Sequence, residues 1–272
     1  MTTRPFFQRT ILTVTLLFAI AVTAMAQHDQ QLGPKLLFNY YTSDLSQPWA
    51  QNTKFTVSNV NNRLTAQLHI YFMPGTGGVQ DFYLTLAPLQ TTSFLASETV
   101  PGETGFALMV DEGRLPSNSL VGIAAITLAS GHRCTLPAVA FKSSDSGKTA
   151  KLMMDMLPSP QDGQFPLLVV NNLNGASAFN GRIRGGTSVG TFGENFGGSN
   201  QITRVLDDSL ESTPLLSTLL PASGKFGWLE ISARGFFGPP SISGCVLYFS
   251  PNTGVSTGSF TGGYNLRRIV TP

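Results

Sequence analysis

Apolar and polar residues alternate with a period of two through much of this chain. Between 54 and 58, Phe55 and Val57 alternate with Lys54, Thr56 and Ser58. Between 64 and 72, Leu64, Ala66, Leu68, Ile70 and Phe72 share one face, while Thr65, Gln67, His69 and Tyr71 share the other. Phe82, Leu84 and Leu86 alternate with Tyr83 and Thr85, and Phe106, Leu108 and Val110 lead to Asp111 in the same way. One apolar face and one mixed face per run is what a half-buried antiparallel strand needs. Turn-forming clusters at 59–62, 74–78, 101–102 and 113–117 punctuate the runs. Short strands separated in this way predict a sandwich.

The run 121–129 is apolar on both faces and predicts a central strand or one covered on both sides. Polar breaks follow at 143–147 and 158–163, and the first is preferred as the boundary between two domains, 32–146 and 147–272. Beyond it, 148–157, 167–170, 226–233, 245–249 and 266–270 predict strands, while 185–198, with six glycines, reads as an extended loop or irregular hairpins. A turn containing Pro239 and Pro240 is expected at 235–244. The one helical candidate, 209–220, is interrupted by Pro214, so an extended segment competes with it. The expected fold is all-β: two tandem antiparallel β-sandwich, Ig-like domains.

Residues 1–26 change the picture from architecture to destination. Arg4 and Arg9 precede an uncharged run at 11–22, and Ala24-Met25-Ala26 then stands before Gln27. That is the layout of a secretory signal peptide. The apolar core is shorter than the roughly 20 residues that cross a bilayer. The expectation is cleavage near Ala26-Gln27 and a secreted chain, extracellular or periplasmic, with no transmembrane segment after cleavage.

Charge then narrows the partners. The formal net charge is +2, but Arg4 and Arg9 leave with the leader, so 15 basic and 15 acidic residues remain. Nucleic-acid binding draws on phosphate neutralisation, and neither the balance nor any basic cluster provides for it. Only two cysteines occur, Cys134 and Cys245. In an exported protein such a pair is a disulfide candidate, and closing a loop of 110 intervening residues stabilises by about 4–5 kcal/mol in the chain-entropy model. Two buried free thiols are the alternative.

Several stretches give the chain a likeness beyond its pattern. Asn52-Thr53 leads into a strand; 90–97 (QTTSFLAS) is followed by 101–105 (PGETG); Ser130-Gly131-His132 adds a turn. The second half contributes 158–163 (PSPQDG), 220–228 (LPASGKFGW) and 260–266 (FTGGYNL). In these the chain resembles a group of uncharacterised secreted bacterial proteins. The resemblance implies an exported, β-rich protein and brings no activity with it.

The chemical motifs do not survive their own requirements. Gly186-Thr187-Ser188-Val189-Gly190 matches a nucleophile elbow, which needs a buried strand before it, a helix after it and a downstream histidine. The only histidines, His28, His69 and His132, all lie upstream. Gly147-Lys148-Thr149 lacks the earlier glycine of a P-loop, since Lys142 stands there. Asp207, Asp208 and Glu211 lack the spacing of a calcium loop. No catalytic, cofactor or metal residues are assigned and no cofactor is expected. Aromatic rings are the remaining candidates, because sugars stack on them: Tyr83, Phe236 and Phe237 come into view, and Tyr40, Tyr41, Trp49, Tyr71 and Trp228 are the possible ligand contacts, against core packing as the alternative. The expected function is that of a non-enzymatic structural, adhesive or interaction module of the envelope or extracellular space. Binding of polysaccharide or another extracellular ligand is the alternative.

Overall fold

The computed structural model describes residues 32–113, 115–116, 119–141, 149–160, 164–185, 189–206, 220–221, 223–235, 240–250 and 262–269. The leader, the 209–219 part of the helical candidate, the serine of the elbow-like motif and the polar break at 143–147 lie outside them. The described chain is nearly all strand, arranged as four antiparallel sheets.

In the first half, β1 (Lys35–Thr42), β3 (Ala66–Pro74), β4 (Gln80–Leu86), β6 (Thr104–Asp111) and β9 (Val139–Phe141) form one sheet in the order β4, β3, β6, β1, β9. The other runs β5, β2, β7, β8, built from β2 (Asn52–Asn59), β5 (Thr91–Leu95), β7 (Leu120–Thr127) and β8 (Arg133–Pro137). A single helical turn, α1 (Ala96–Thr99), follows β5. Alternation drives the packing: Leu68, Ile70 and Phe72 of one sheet meet Phe55, Val57 and Ala124 of the other in a common core. A constant-type immunoglobulin arrangement seats the first strand beside the second. Here β1 pairs instead with β6 and β9.

The second half repeats this plan strand for strand. One sheet runs β13 (Gly190–Asn195), β12 (Ala176–Arg184), β15 (Phe226–Gly235), β10 (Lys151–Pro158), β18 (Arg267–Ile269). The other runs β14 (Gln201–Val205), β11 (Phe165–Asn174), β16 (Ser241–Phe249), β17 (Gly263–Asn265). Adding nine to each strand number of the first half gives the second. The likeness extends to single residues. The pairing of β1 with β6 shifts register between Phe38 and Tyr41, and that of β10 with β15 between Met154 and Leu157. The amides of Ala138 and Leu266 donate to the carbonyls of Gly122 and Gly244, each at 2.9 Å. The amides of Asn59 and Asn172 donate to Gln90 and Asn200 at 2.9 and 2.8 Å.

One glycine pair shows why the repeat constrains sequence. Gly105 lies at the start of β6 opposite Pro74, and Gly227 lies at the matching place in β15. A Cβ on Gly105 would run into the carbonyl oxygen of Met73, and one on Gly227 into that of Arg184. Both copies need bare backbone there.

The halves are joined by packing as well as by chain. Strand β16 is buried on both faces: Ile242, Val246 and Tyr248 point into the second core, while Cys245, Leu247 and Phe249 join the first. Leu168 and Val170 of β11 face the second core, and Val169 faces the first. In the first half the copies of Cys245, Leu247 and Phe249 are Ile123, Ala125 and Thr127, which stay partly or fully open, and the copy of Val169 is Thr56. Thr56 and Ser58 form hydroxyl pairs with Ser93 and Thr91 at 2.8 and 2.7 Å on an exposed face. At this one position the uncovered copy thus carries Thr56 where the covered copy carries Val169.

Two expectations are corrected. The glycine-rich stretch 185–198 contains a regular strand, β13, in register with β12. The turn expected at 235–244 ends early, because β16 starts at Ser241 and Gly244 lies within it. The closing strand expected at 266–270 is present as β18, and a further short strand, β17, precedes it in the other sheet. Of the two readings of 121–129, the central strand holds: β7 is internal, between β2 and β8, and its outer face is open, with Ala125 exposed.

Candidate functional site

The hairpin of β3 and β4 places five chemistry-bearing side chains together on the outer face of the first half. In its register His69 stands opposite Tyr83, and Tyr71 opposite Asp81. Alternation sends Leu68, Ile70 and Phe72 inward, so His69 and Tyr71 must face outward, where Asp81 and Tyr83 also point. Glu112, one residue past β6, arrives beside His69 because that residue pairs with Val110.

His69 is the hub. Its Nε2 lies 2.6 Å from Asp81 Oδ2 and its Nδ1 lies 2.8 Å from Glu112 Oε1. The Tyr71 hydroxyl also reaches Nδ1, at 2.7 Å. The imidazole stacks on Tyr83 with centroids 4.2 Å apart at 25°, and lies 3.9 Å from the Tyr71 ring. Both ring nitrogens face carboxylate oxygens, which is the geometry of an imidazolium donating from each side. The hydrogen bond to Asp81 raises the His69 pKa above its ordinary value; burial opposes this and Glu112 reinforces it. The His69 side chain is nearly covered, the two carboxylates are half-exposed and Tyr83 is 67% exposed. Desolvation, then the nearby carboxylates, raise the Tyr83 hydroxyl.

The second half keeps the scaffold and lacks the cluster. Register places Asn180, Arg182, Thr191, Gly193 and Arg234 where His69, Tyr71, Asp81, Tyr83 and Glu112 stand. The fold therefore closes without these five side chains.

Of the aromatic candidates, Tyr71 and Tyr83 are brought together, Tyr40, Tyr41, Trp49 and Trp228 are dispersed, and Phe236 and Phe237 lie outside the described residues. Tyr40 and Tyr41 are buried and so are not ligand contacts in this fold: a shift of register within β1 lets the consecutive tyrosines both point into the core. Burial pushes the Tyr40 hydroxyl up to about 12. Trp49, 80% exposed, sits on the ordered connection between β1 and β2, where Asp44 accepts the amides of Ser46 and Gln47. Trp228 lies on the outer face of β15 with the Arg182 guanidinium 5.7 Å from its ring, beside Glu230. His132 bonds to Ser130 in a turn on the other sheet, near Phe165.

The cysteine pair is corrected as well. Cys134 and Cys245 are free, buried thiols within one core, not a disulfide. Cys134 Sγ donates weakly to the Thr135 carbonyl at 3.7 Å. Burial pushes the Cys134 thiol up to about 12 and Cys245 well above its ordinary value. The physical reason is packing: each side chain points into apolar surroundings and fills them as a small hydrophobe.

Asp81 and Glu112 were not singled out in the sequence. Asp81 had a usable signal, since it alternates in phase with Tyr83 along β4, opposite Tyr71 of β3. Glu112 had none, because its arrival depends on the pairing of β3 with β6 over a long sequence separation. Among the described residues no group of three or more His, Cys, Asp or Glu is placed to hold a metal ion, and no helix is long and apolar enough to cross a membrane.

Comparison with protein-family models, with curated proteins and with solved structures finds no match to this chain. The class is therefore defined by its own fold: a chain of four antiparallel sheets in which one nine-strand plan occurs twice.

Proposed function

We propose that this chain is an exported, non-enzymatic interaction module of the bacterial envelope or extracellular space. Two tandem sandwich domains are released from a signal peptide near Ala26-Gln27, and they meet their partner through the His69–Tyr83 face. The observation that carries this reading is the difference between the copies. Five clustered side chains occupy one face of the first copy, the second copy forms the same sheet without them, and the Tyr83 ring is left in solvent. Residues that the fold does not need and that hold an aromatic ring outward fit recognition.

The non-enzymatic part has its own support. A general base needs a free nitrogen lone pair, and both nitrogens of His69 are engaged by acceptors. Among the described residues no serine, threonine or cysteine hydroxyl or thiol is bonded to that ring.

The test is co-sedimentation of purified 27–272 with isolated envelopes of the producing bacterium, alongside Tyr83→Ala and Trp228→Ala variants. Retention of the parent and of W228A, with loss in Y83A, is the expected result. Equal retention of all three, or no retention of the parent, overturns the reading.

A further inference from the structure

We infer that the His69–Tyr83 face is a subsite for a neutral pyranose ring, which stacks on the open face of Tyr83 and donates hydroxyl hydrogen bonds to Asp81 and Glu112. This rests on the reading of that face as the interaction surface and names the chemistry it takes.

Geometry selects the ligand. One face of the Tyr83 ring is against the imidazole, 4.2 Å away and 25° from parallel. With 67% of the residue exposed, the opposite face is bare. The stack and the cross-strand pairing with His69 fix the ring's direction before anything binds, so little freedom is lost on contact. Asp81 and Glu112 each commit one oxygen to His69 and remain half-exposed. A rigid flat ring beside two anchored acceptors suits a molecule with an apolar C–H face and a rim of hydroxyl donors.

Other ligand classes fit less well. A cation prefers an electron-rich ring face, but the inner face of Tyr83 is already taken by the imidazole and each carboxylate already holds one oxygen against His69. An anion meets two carboxylates. An apolar peptide side chain would take both carboxylates out of water without donors for them. A neutral sugar meets none of these penalties.

The experiment titrates 27–272, with its histidine side chains isotopically labelled, against neutral oligosaccharides built on glucose, galactose, mannose and N-acetylglucosamine. A uronic-acid oligomer is the charged control. Saturable binding to a neutral oligosaccharide should move the His69 resonances. Tyr83→Ala should weaken it tenfold or more, Tyr83→Phe by less than threefold, and Asp81→Asn and Glu112→Gln severalfold each. The uronate should bind more weakly than its neutral counterpart. Because Gly193 stands at the position of Tyr83 in the second copy, Y83A is expected to fold, and its melting temperature is the control. If no neutral saccharide moves His69, or if Y83A binds as well as the parent, the inference fails. Envelope retention that needs Tyr83, with no saccharide binding, removes the sugar and leaves the interaction surface standing.

Discussion

Asn39 and Asn171 are locked together across the junction of the two halves. Asn171 Nδ2 donates to both the carbonyl oxygen and Oδ1 of Asn39 at 3.0 Å. Gln201 Nε2 donates to Asn171 Oδ1 at 2.7 Å and to the Asn39 carbonyl at 3.2 Å. Asn39 Nδ2 in turn donates to Asn265 Oδ1 at 2.7 Å and to the Gly244 carbonyl at 3.2 Å. All lie in a buried seam where an unpaired polar group costs about 1–3 kcal/mol. Asn39→Ala strips several partners at once, so it should destabilise by about 2–4 kcal/mol. Urea unfolding checks this, and an unchanged midpoint would mean that the seam is not what ties the halves.

Gly105→Ala and Gly227→Ala should behave alike although 122 positions separate them. In each, the new Cβ meets a backbone carbonyl of the neighbouring strand, which cannot rotate aside. A loss of about 1–3 kcal/mol or more is expected for each. Thermal melts of the two variants provide the comparison, and tolerance of one but not the other would contradict the structural equivalence of the copies.

Tyr41 and Tyr248 should respond to loss of the hydroxyl with opposite sign. The Tyr41 hydroxyl is buried with no hydrogen-bond partner among the described residues, so Tyr41→Phe removes a desolvated polar group at no loss. The Tyr248 hydroxyl donates to the Pro158 carbonyl at 2.7 Å. Tyr248→Phe should therefore lower stability by about 1 kcal/mol, while Tyr41→Phe leaves it unchanged or raises it. Paired denaturation curves read the difference.

How much of this was legible in the sequence depends on the distance over which it is decided. Strands such as β3 and β4 follow from alternation, because Leu68, Ile70 and Phe72 have only one face to bury. The repeat was harder to see. Its copies share register positions such as Gly105 and Gly227 but differ wherever one copy is covered and the other is not, as with Val169 and Thr56. The 185–198 stretch was misread because glycine weakens strand propensity, yet β13 is held by its neighbour β12. Tyr40 and Tyr41 were possible ligand contacts, since strict alternation exposes one of two consecutive residues, and the shift within β1 removes that constraint.

The His69 cluster should make stability depend on pH. His69 is faced by Asp81 and Tyr83 of β4, Tyr71 of β3 and Glu112 beyond β6. Its pKa is raised in the folded chain above the ordinary value of 6.5, through Asp81 first, with burial opposing and Glu112 adding. A raised folded value means that the contribution is fully present below 6.5 and is lost as pH rises through the folded value. His69→Asn, the residue of the second copy, should show no such loss. Denaturation midpoints of both proteins across pH 5–9 test it, and parallel profiles would refute the linkage.

The most direct measurement is hydrogen–deuterium exchange of 27–272 with and without isolated envelope material. Slower exchange should appear in the β3–β4 hairpin and near Glu112, leaving the Trp49 connection and the sheet carrying Trp228 unchanged. Protection confined to Trp49 or to the second half, or no protection anywhere, would contradict recognition through the His69–Tyr83 face.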